Sequence, residues 1–171
     1  MDPYLSAEEF RRMLYAMSYP GEVVKLRTSH PYLSILGREV KFYTDSENER
    51  IFIERHCGSV FSNMEEADYL IFHKEPDRKT LMSIKRGNIE FPEDGATIYL
   101  KIDKIGEGTK ILMRGPGIKD YRSISLTISK RFFKTLQEIN DFPLGLDVFF
   151  IDKSKRIIAI PRSVKVSVWD L

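Results

Sequence analysis

The chain has 171 residues, of which 42% are hydrophobic and 30% are charged. This length fits one domain that buries about 70% of its unfolded surface, and the composition excludes a disordered chain. The net charge of +2 gives no case for nucleic-acid binding, and apolar runs such as residues 148–151 are far too short to cross a bilayer. With one cysteine, Cys57, and no secretory pattern at the start, we expect a cytoplasmic protein.

The first predicted element is an amphipathic helix near the N-terminus. Ser6 and Glu9 have the spacing of a capping box, in which each side chain satisfies a free backbone N–H of the first helical turn. The apolar residues that follow are spaced to share one helical face: Phe10, Met13, Leu14 and Met17. Pro20 and Gly21 end this helix, and residues 22–26 are predicted to form a strand.

The middle of the chain is predicted to consist mostly of short strands. Runs of β-branched and aromatic residues indicate strands at residues 40–43, 69–72, 96–102 and 110–114. The sequence Gly-Glu-Gly at 106–108 is predicted to be the turn that joins the last two strands as a hairpin. Residues 77–84 favour a short helix. Residues 51–56 alternate like a strand but could equally end a helix before Gly58.

The C-terminal part is predicted to contain one helix and three strands. Ser129 can cap a helix over residues 129–140, residues 148–151 and 156–160 form a hairpin, and residues 165–168 form a final strand. Strands mixed with a few helices, without a regular βαβ rhythm, predict an α/β fold. We therefore expect a single domain over residues 1–171, with a mixed β-sheet flanked by helices.

No familiar catalytic or metal-binding set is visible in the sequence. His30, His56 and His73 are far apart and lack the spacing of metal ligands, so we expect no metal site. No GxSxG motif marks a serine nucleophile. Cys57 is interpreted first as a small buried or half-buried thiol, and a Cys57–His pairing requires the fold to bring a distant histidine close to it. No lysine lies in a recognisable pyridoxal phosphate motif, so we expect no cofactor.

Two turn segments leave functional alternatives open. In RGPGI, at residues 114–118, Arg114 and the glycines Gly115 and Gly117 could bind a phosphate-like anion, or the segment could be a tight turn with a solvated arginine. In FPLGLD, at residues 142–147, Asp147 could organise a cleft bordered by RGPGI, act as a general base, or cap its own turn.

Five segments resemble one known family in the order in which they occur. They are FRRMLYAMSYPG at 10–21, PEDGAT at 92–97, RGPGI at 114–118, FPLGLD at 142–147 and IPRS at 160–163. Together they resemble the PhnH family, the H subunits of the carbon–phosphorus lyase system for phosphonate breakdown. The sequence departs from the family pattern at residues 36–63, which look shortened, and at Ser163-Val164, where a threonine-rich pair is more usual.

The resemblance implies a specific fold and function. Family members have an α/β fold related to the large domain of pyridoxal-phosphate-dependent transferases, without the cofactor site, and they form homodimers. They act with the G, I and J subunits, in a complex that displaces adenine from ATP with methylphosphonate and gives ribose 1-methylphosphonate 5-triphosphate. The chain is therefore expected to be an accessory subunit of this transferase complex. The alternative is a stand-alone transferase or hydrolase with a cleft near Arg114 and Asp147.

The family-like segments also supply the candidate binding residues. They are Arg11, Arg114, Gly115, Gly117, Asp147 and Arg162. No catalytic residue is assigned. Homodimer contacts could use Trp169 and the phenylalanine pairs at 132–133 and 149–150, although burial in the core explains those pairs equally well.

Overall fold

The structure is a computed structural model that describes residues 2–170. Its centre is a seven-stranded mixed sheet in the order β1-β9-β8-β5-β4-β2-β3. Five neighbouring strands are parallel, and β9 and β1 add an antiparallel edge. The strands of this sheet, in chain order, are β1 (Val24–Lys25), β2 (Lys41–Thr44), β3 (Val60–Phe61), β4 (Tyr69–Phe72), β5 (Thr97–Ile102), β8 (Asp147–Asp152) and β9 (Arg156–Ile160).

Helices cover both faces of this sheet, which is the usual way to bury a parallel sheet. They are α1 (Pro3–Ser18), α2 (Glu47–Cys57), α3 (Arg78–Ser83) and α4 (Lys130–Ile139). Because side chains alternate along a strand, Ile98 and Leu100 of β5 join the core beneath α3 and α4, whereas Tyr99 between them joins the core beneath α1 and α2. The α/β class with a mixed sheet is thus confirmed.

A second, antiparallel sheet closes the side that carries α3 and α4. It contains β6 (Ile105–Arg114), β7 (Arg122–Leu126) and β10 (Lys165–Val168), in the order β10-β6-β7. The predicted hairpin between residues 96–102 and 110–114 is wrong. Gly106-Glu107-Gly108 lies inside β6, at an irregularity of its pairing with β7, and β5 and β6 belong to different sheets.

The start of α1 also differs from its prediction. Ser6 lies inside α1, which begins at Pro3, so Ser6 and Glu9 form no capping box. Glu9 is fully buried instead, and its carboxylate accepts the backbone N–H groups of Arg27 and Thr28 at 3.1 and 3.4 Å. The pattern was misleading because a carboxylate can satisfy distant backbone donors as well as those of its own helix.

Most of the other predicted helices and strands are confirmed. The ambiguous segment at 51–56 belongs to α2, which Ser46 caps and Gly58 ends in a left-handed conformation. The phenylalanine pairs are buried in the core, whereas Trp169 is 39% exposed with the ammonium of Lys110 above its ring. No helix within residues 2–170 is both long and apolar enough to cross a membrane.

Candidate functional site

Asp147 is the first residue of β8 and forms an ion pair with Arg162. Its Oδ1 accepts the backbone N–H of Arg162 at 2.8 Å, and its Oδ2 accepts Nη2 and Nε of the guanidinium at 2.8 and 3.2 Å. The same guanidinium donates to the carbonyls of Pro92 and Gly95 at 2.7 and 3.3 Å. The pair therefore ties together three of the family-like segments, FPLGLD, PEDGAT and IPRS.

This ion pair lies at the amino ends of the parallel strands. Tyr69, Thr97 and Asp147 start β4, β5 and β8. All three line, together with Arg162, one open cavity of about 510 Å³. Open α/β sheets usually bind ligands at the opposite, carboxyl ends of their strands. With its carboxylate engaged by three donors, Asp147 is placed to fix turns rather than to accept a proton.

The RGPGI loop packs against other parts of the chain. Gly117 has a φ of +82°, and a Cβ atom there would lie 2.3 Å from the carbonyl oxygen of Ser18 at the end of α1. A Cβ on Gly115 would lie 3.0 Å from the carbonyl of Ser163. The glycines thus permit close contact between this loop, α1 and the IPRS turn. The loop does not line the cavity that contains Asp147, so the expected cleft between Asp147 and RGPGI is not formed.

The remaining candidate arginines lie at the surface. Arg114 ends β6 and is exposed, opposite Lys165 of β10, and Arg11 is exposed on α1. Of the six candidate residues, the structure joins only Asp147 and Arg162 by direct contact.

A constellation that the sequence analysis missed lies at the carboxyl ends of the parallel strands. Glu49, in the first turn of α2, is 5% exposed and accepts three side-chain hydrogen bonds. Its Oε1 accepts the hydroxyl of Tyr32 and Nδ1 of His30, the latter at 3.0 Å. Its Oε2 accepts Nε2 of His73 at 3.1 Å. Two histidines that are distant in sequence therefore share one buried carboxylate.

Lys101 adds a partly buried cation to this group. It lies near the end of β5, its ammonium donates to the carbonyl of Ser29, and Nζ lies 5.1 Å from the centre of the Tyr32 ring. Asp45, just after β2, holds the loop after β4 by accepting the backbone N–H groups of His73 and Lys74 at 2.8 and 3.0 Å. These residues surround the point where the strand order reverses between β2 and β4.

The environment shifts the pKa values of this cluster. Burial alone would raise the pKa of Glu49, but hydrogen bonds from His30 and Tyr32 outweigh it and lower that pKa to about 2. Burial lowers the pKa of Lys101 to about 8, against the opposing charge of Glu49. Burial, together with the Glu49 charge, raises the pKa of Tyr32, so its phenol stays a hydrogen-bond donor. Perturbed groups beside a cavity mark candidate functional sites.

The cluster does not form a metal centre. Within residues 2–170, no group of three or more His, Cys, Asp or Glu side chains is arranged to hold a metal ion.

Comparison with known proteins gives two matches. Residues 2–167 match the sequence profile of the family described as bacterial phosphonate metabolism protein, PhnH. The chain is also 26% identical over 167 residues to a protein of Stutzerimonas stutzeri named putative C-P lyase subunit protein HtxG. The alignment covers 93% of this chain and 84% of that protein.

Proposed function

Because this chain belongs to the PhnH family of bacterial phosphonate metabolism proteins, we propose that it is a subunit of a carbon–phosphorus lyase complex in phosphonate catabolism. The observation that carries the proposal is the family match over residues 2–167. The similarity to a protein named as a putative C-P lyase subunit supports it. In its finer form, the proposal is that the chain supports transfer of methylphosphonate to the ribose of ATP with release of adenine.

An accessory role fits the geometry better than an independent enzyme with a cleft near Arg114 and Asp147. Asp147 is bound by Arg162 and by the Arg162 backbone, whereas Arg114 is exposed at the end of β6. General acid–base catalysis needs a group within hydrogen-bond reach of the substrate and free to exchange a proton. The arrangement around Asp147 favours a structural role.

The proposal includes the partners that the family resemblance implies. The chain would act in the cytoplasm as a homodimer with the G, I and J subunits, on a fold related to the large domain of pyridoxal-phosphate-dependent transferases but without that cofactor. Exposed apolar side chains on α1 and at the residue that follows it support a contact with a second copy. They are Phe10, Leu14, Tyr15 and Tyr19, which are 40 to 50% exposed.

Growth on methylphosphonate as the sole phosphorus source tests the proposal. Deletion of the gene should abolish this growth, and the wild-type chain supplied in trans should restore it, because the complex would lack one subunit. Growth on inorganic phosphate is the control and should be unchanged. Normal growth of the deletion strain on methylphosphonate would contradict the proposed role.

A further inference from the structure

The Glu49 cluster opens into a cavity of about 590 Å³. This volume lies within the range of small-molecule sites, which is roughly 300–1,000 Å³. The cavity lies at the carboxyl ends of β4, β5 and β8, where open α/β sheets usually bind ligands. The charged side chains that line it are His30, His73, Glu75, Lys101, Asp103, Asp152 and Lys153.

The acidic side chains of this cavity are already engaged by other parts of the chain. Glu75 accepts the backbone N–H of Ser129 at 3.0 Å and also its hydroxyl, at the start of α4. Asp152 accepts the N–H groups of Ile105 and Ser154 and pairs with Arg156. Asp103 pairs with Lys153. The charges of Asp103 and Asp152 are therefore each paired with a cation, whereas the carboxylate of Glu75 is held by neutral donors.

Three side chains that can carry a positive charge line this cavity, His30, His73 and Lys101. An imidazole that donates one N–H to Glu49 can donate from its second nitrogen only in its imidazolium form. His30 and His73 each use one ring nitrogen on Glu49, and within residues 2–170 the second nitrogen of each has no hydrogen-bond partner. Lys101 has three N–H donors and gives one to Ser29. Glu49 holds the two imidazoles in place, as carboxylates do for functional histidines in other proteins.

We propose that this cavity binds the phosphate or phosphonate group of a small molecule, with Lys101 and the imidazolium forms of His30 and His73 as donors. A tetrahedral oxyanion has three acceptor oxygens that can meet donors from three directions, whereas a carboxylate has two. The partly buried ammonium of Lys101, whose pKa is lowered by desolvation, gains a counter-ion when the oxyanion binds. The site goes beyond the proposed function, since a subunit that acted only through protein contacts would need no such cavity.

Titration calorimetry of the full-length protein tests the proposal with three probes: inorganic phosphate, methylphosphonate and ATP. We expect saturable binding of at least one. Equal affinity for phosphate and methylphosphonate means that the cavity recognises the phosphate or phosphonate group alone. Preference for ATP means that the nucleoside part of the ligand also contributes to binding. Absence of binding by all three up to about 10 mM, well above the 1 mM Kd of a weak complex, would overturn the proposal.

Variants locate the binding in this cavity. Lys101→Met and the double substitution His30→Gln/His73→Gln should each weaken binding by at least about tenfold, the equivalent of 1.4 kcal/mol. Lys85→Met is the matched control, because Lys85 is also partly buried but pairs with Asp68 outside this cavity, and it should change affinity less than twofold. Unchanged affinity in both test variants would place the ligand elsewhere.

A measurement on the unmodified protein guards against variants that fail to fold. Saturating ligand should shift the imidazole NMR signals of His30 and His73 and leave those of His56 unchanged, because the ring of His56 bonds to the Phe52 carbonyl on the exposed side of α2. A shift of His56 alone would contradict the assignment even if calorimetry detected binding.

Discussion

The carboxylate of Glu49 should contribute to folding stability in a way that depends on pH. Its pKa in the folded protein is about 2, below the ordinary value of 4.5. Because the folded-state pKa is the lower one, the contribution is present above about pH 4.5 and is lost as the pH falls to about 2. This difference between the two pKa values corresponds to about 3 kcal/mol of unfolding free energy.

Denaturant unfolding from pH 7 to pH 2 measures that contribution. Glu49→Gln should be less stable than wild type at pH 7, and the difference should shrink steadily between pH 4.5 and pH 2. Glu54→Gln, at an exposed position of the same helix, is the control and should follow the wild-type curve. If the unfolding free energy of Glu49→Gln stays below that of wild type by a constant amount over this pH range, the charge of Glu49 does not contribute to stability as expected.

Gly117 should tolerate no side chain, because of both its backbone and its neighbours. Its φ is +82°, and a Cβ atom would overlap the Ser18 carbonyl. Gly106 is a matched control, with a φ of +103° and nothing within 4 Å of the added Cβ. Alanine at either position should cost about 1–2 kcal/mol for the backbone conformation, and Gly117→Ala should cost more because of the overlap. Equal losses in thermal unfolding would argue against the close packing.

Single residues illustrate what the sequence can and cannot predict. The turn chemistry of Gly117 and Asp147 is visible in the sequence, because glycine, proline and aspartate favour turns through their own local geometry. His30, Glu49 and His73 are separated by 19 and 24 residues, so only the order of the strands brings them together. For two residues of this cluster the sequence does contain a local signal, which is their position at the carboxyl end of a predicted strand. His73 directly follows β4, and Lys101 lies near the end of β5.

At the scale of elements, the Asp147–Arg162 pair should couple the turns that it joins. The two side chains are 17% and 12% exposed, and Arg162 also satisfies two backbone carbonyls. Arg162→Ala should cost about 2–4 kcal/mol, because it leaves Asp147 and those carbonyls without their partner. Denaturant unfolding of the purified variants gives this value.

A double-mutant cycle with Asp147→Ala and Arg162→Ala separates pairing from simple packing. We expect a coupling energy above about 1 kcal/mol. Arg78 and Glu138 form the control pair, with the same N–O distance of 2.8 Å but more than half exposed, and should couple by less than about 1 kcal/mol. Similar coupling energies in the two pairs would show that the Asp147–Arg162 pair contributes no more than an exposed ion pair.

Elements were predictable where local pattern and tertiary packing agree. The strands at 69–72, 156–160 and 165–168 coincide with their predictions because they carry continuous β-forming residues between turns. The start of α1 and the pairing of β6 were mispredicted because both depend on distant partners. Glu9 binds the backbone at residues 27–28, and β6 pairs with β7 and β10 rather than with the preceding β5.

At the scale of the whole molecule, Arg114 should matter for assembly and not for folding. It is the exposed first residue of the packed RGPGI loop, so its guanidinium is available to an acidic group on a partner subunit. Arg114→Ala should reduce growth on methylphosphonate while leaving the melting temperature within a few degrees of wild type, because exposed arginines contribute little stability. Arg114→Lys should restore growth only in part. Normal growth on methylphosphonate with Arg114→Ala would indicate that the RGPGI loop is an ordinary turn without a role in assembly.

The most direct test of the accessory role is adenine release from ATP and methylphosphonate in a reconstituted system. We expect no release by the purified chain alone, weak or no release by the G, I and J subunits without it, and full release when all four are combined. The chain's contribution is then support of a reaction that it does not itself catalyse. Adenine release by the isolated chain, or full release by the other subunits in its absence, would contradict this account.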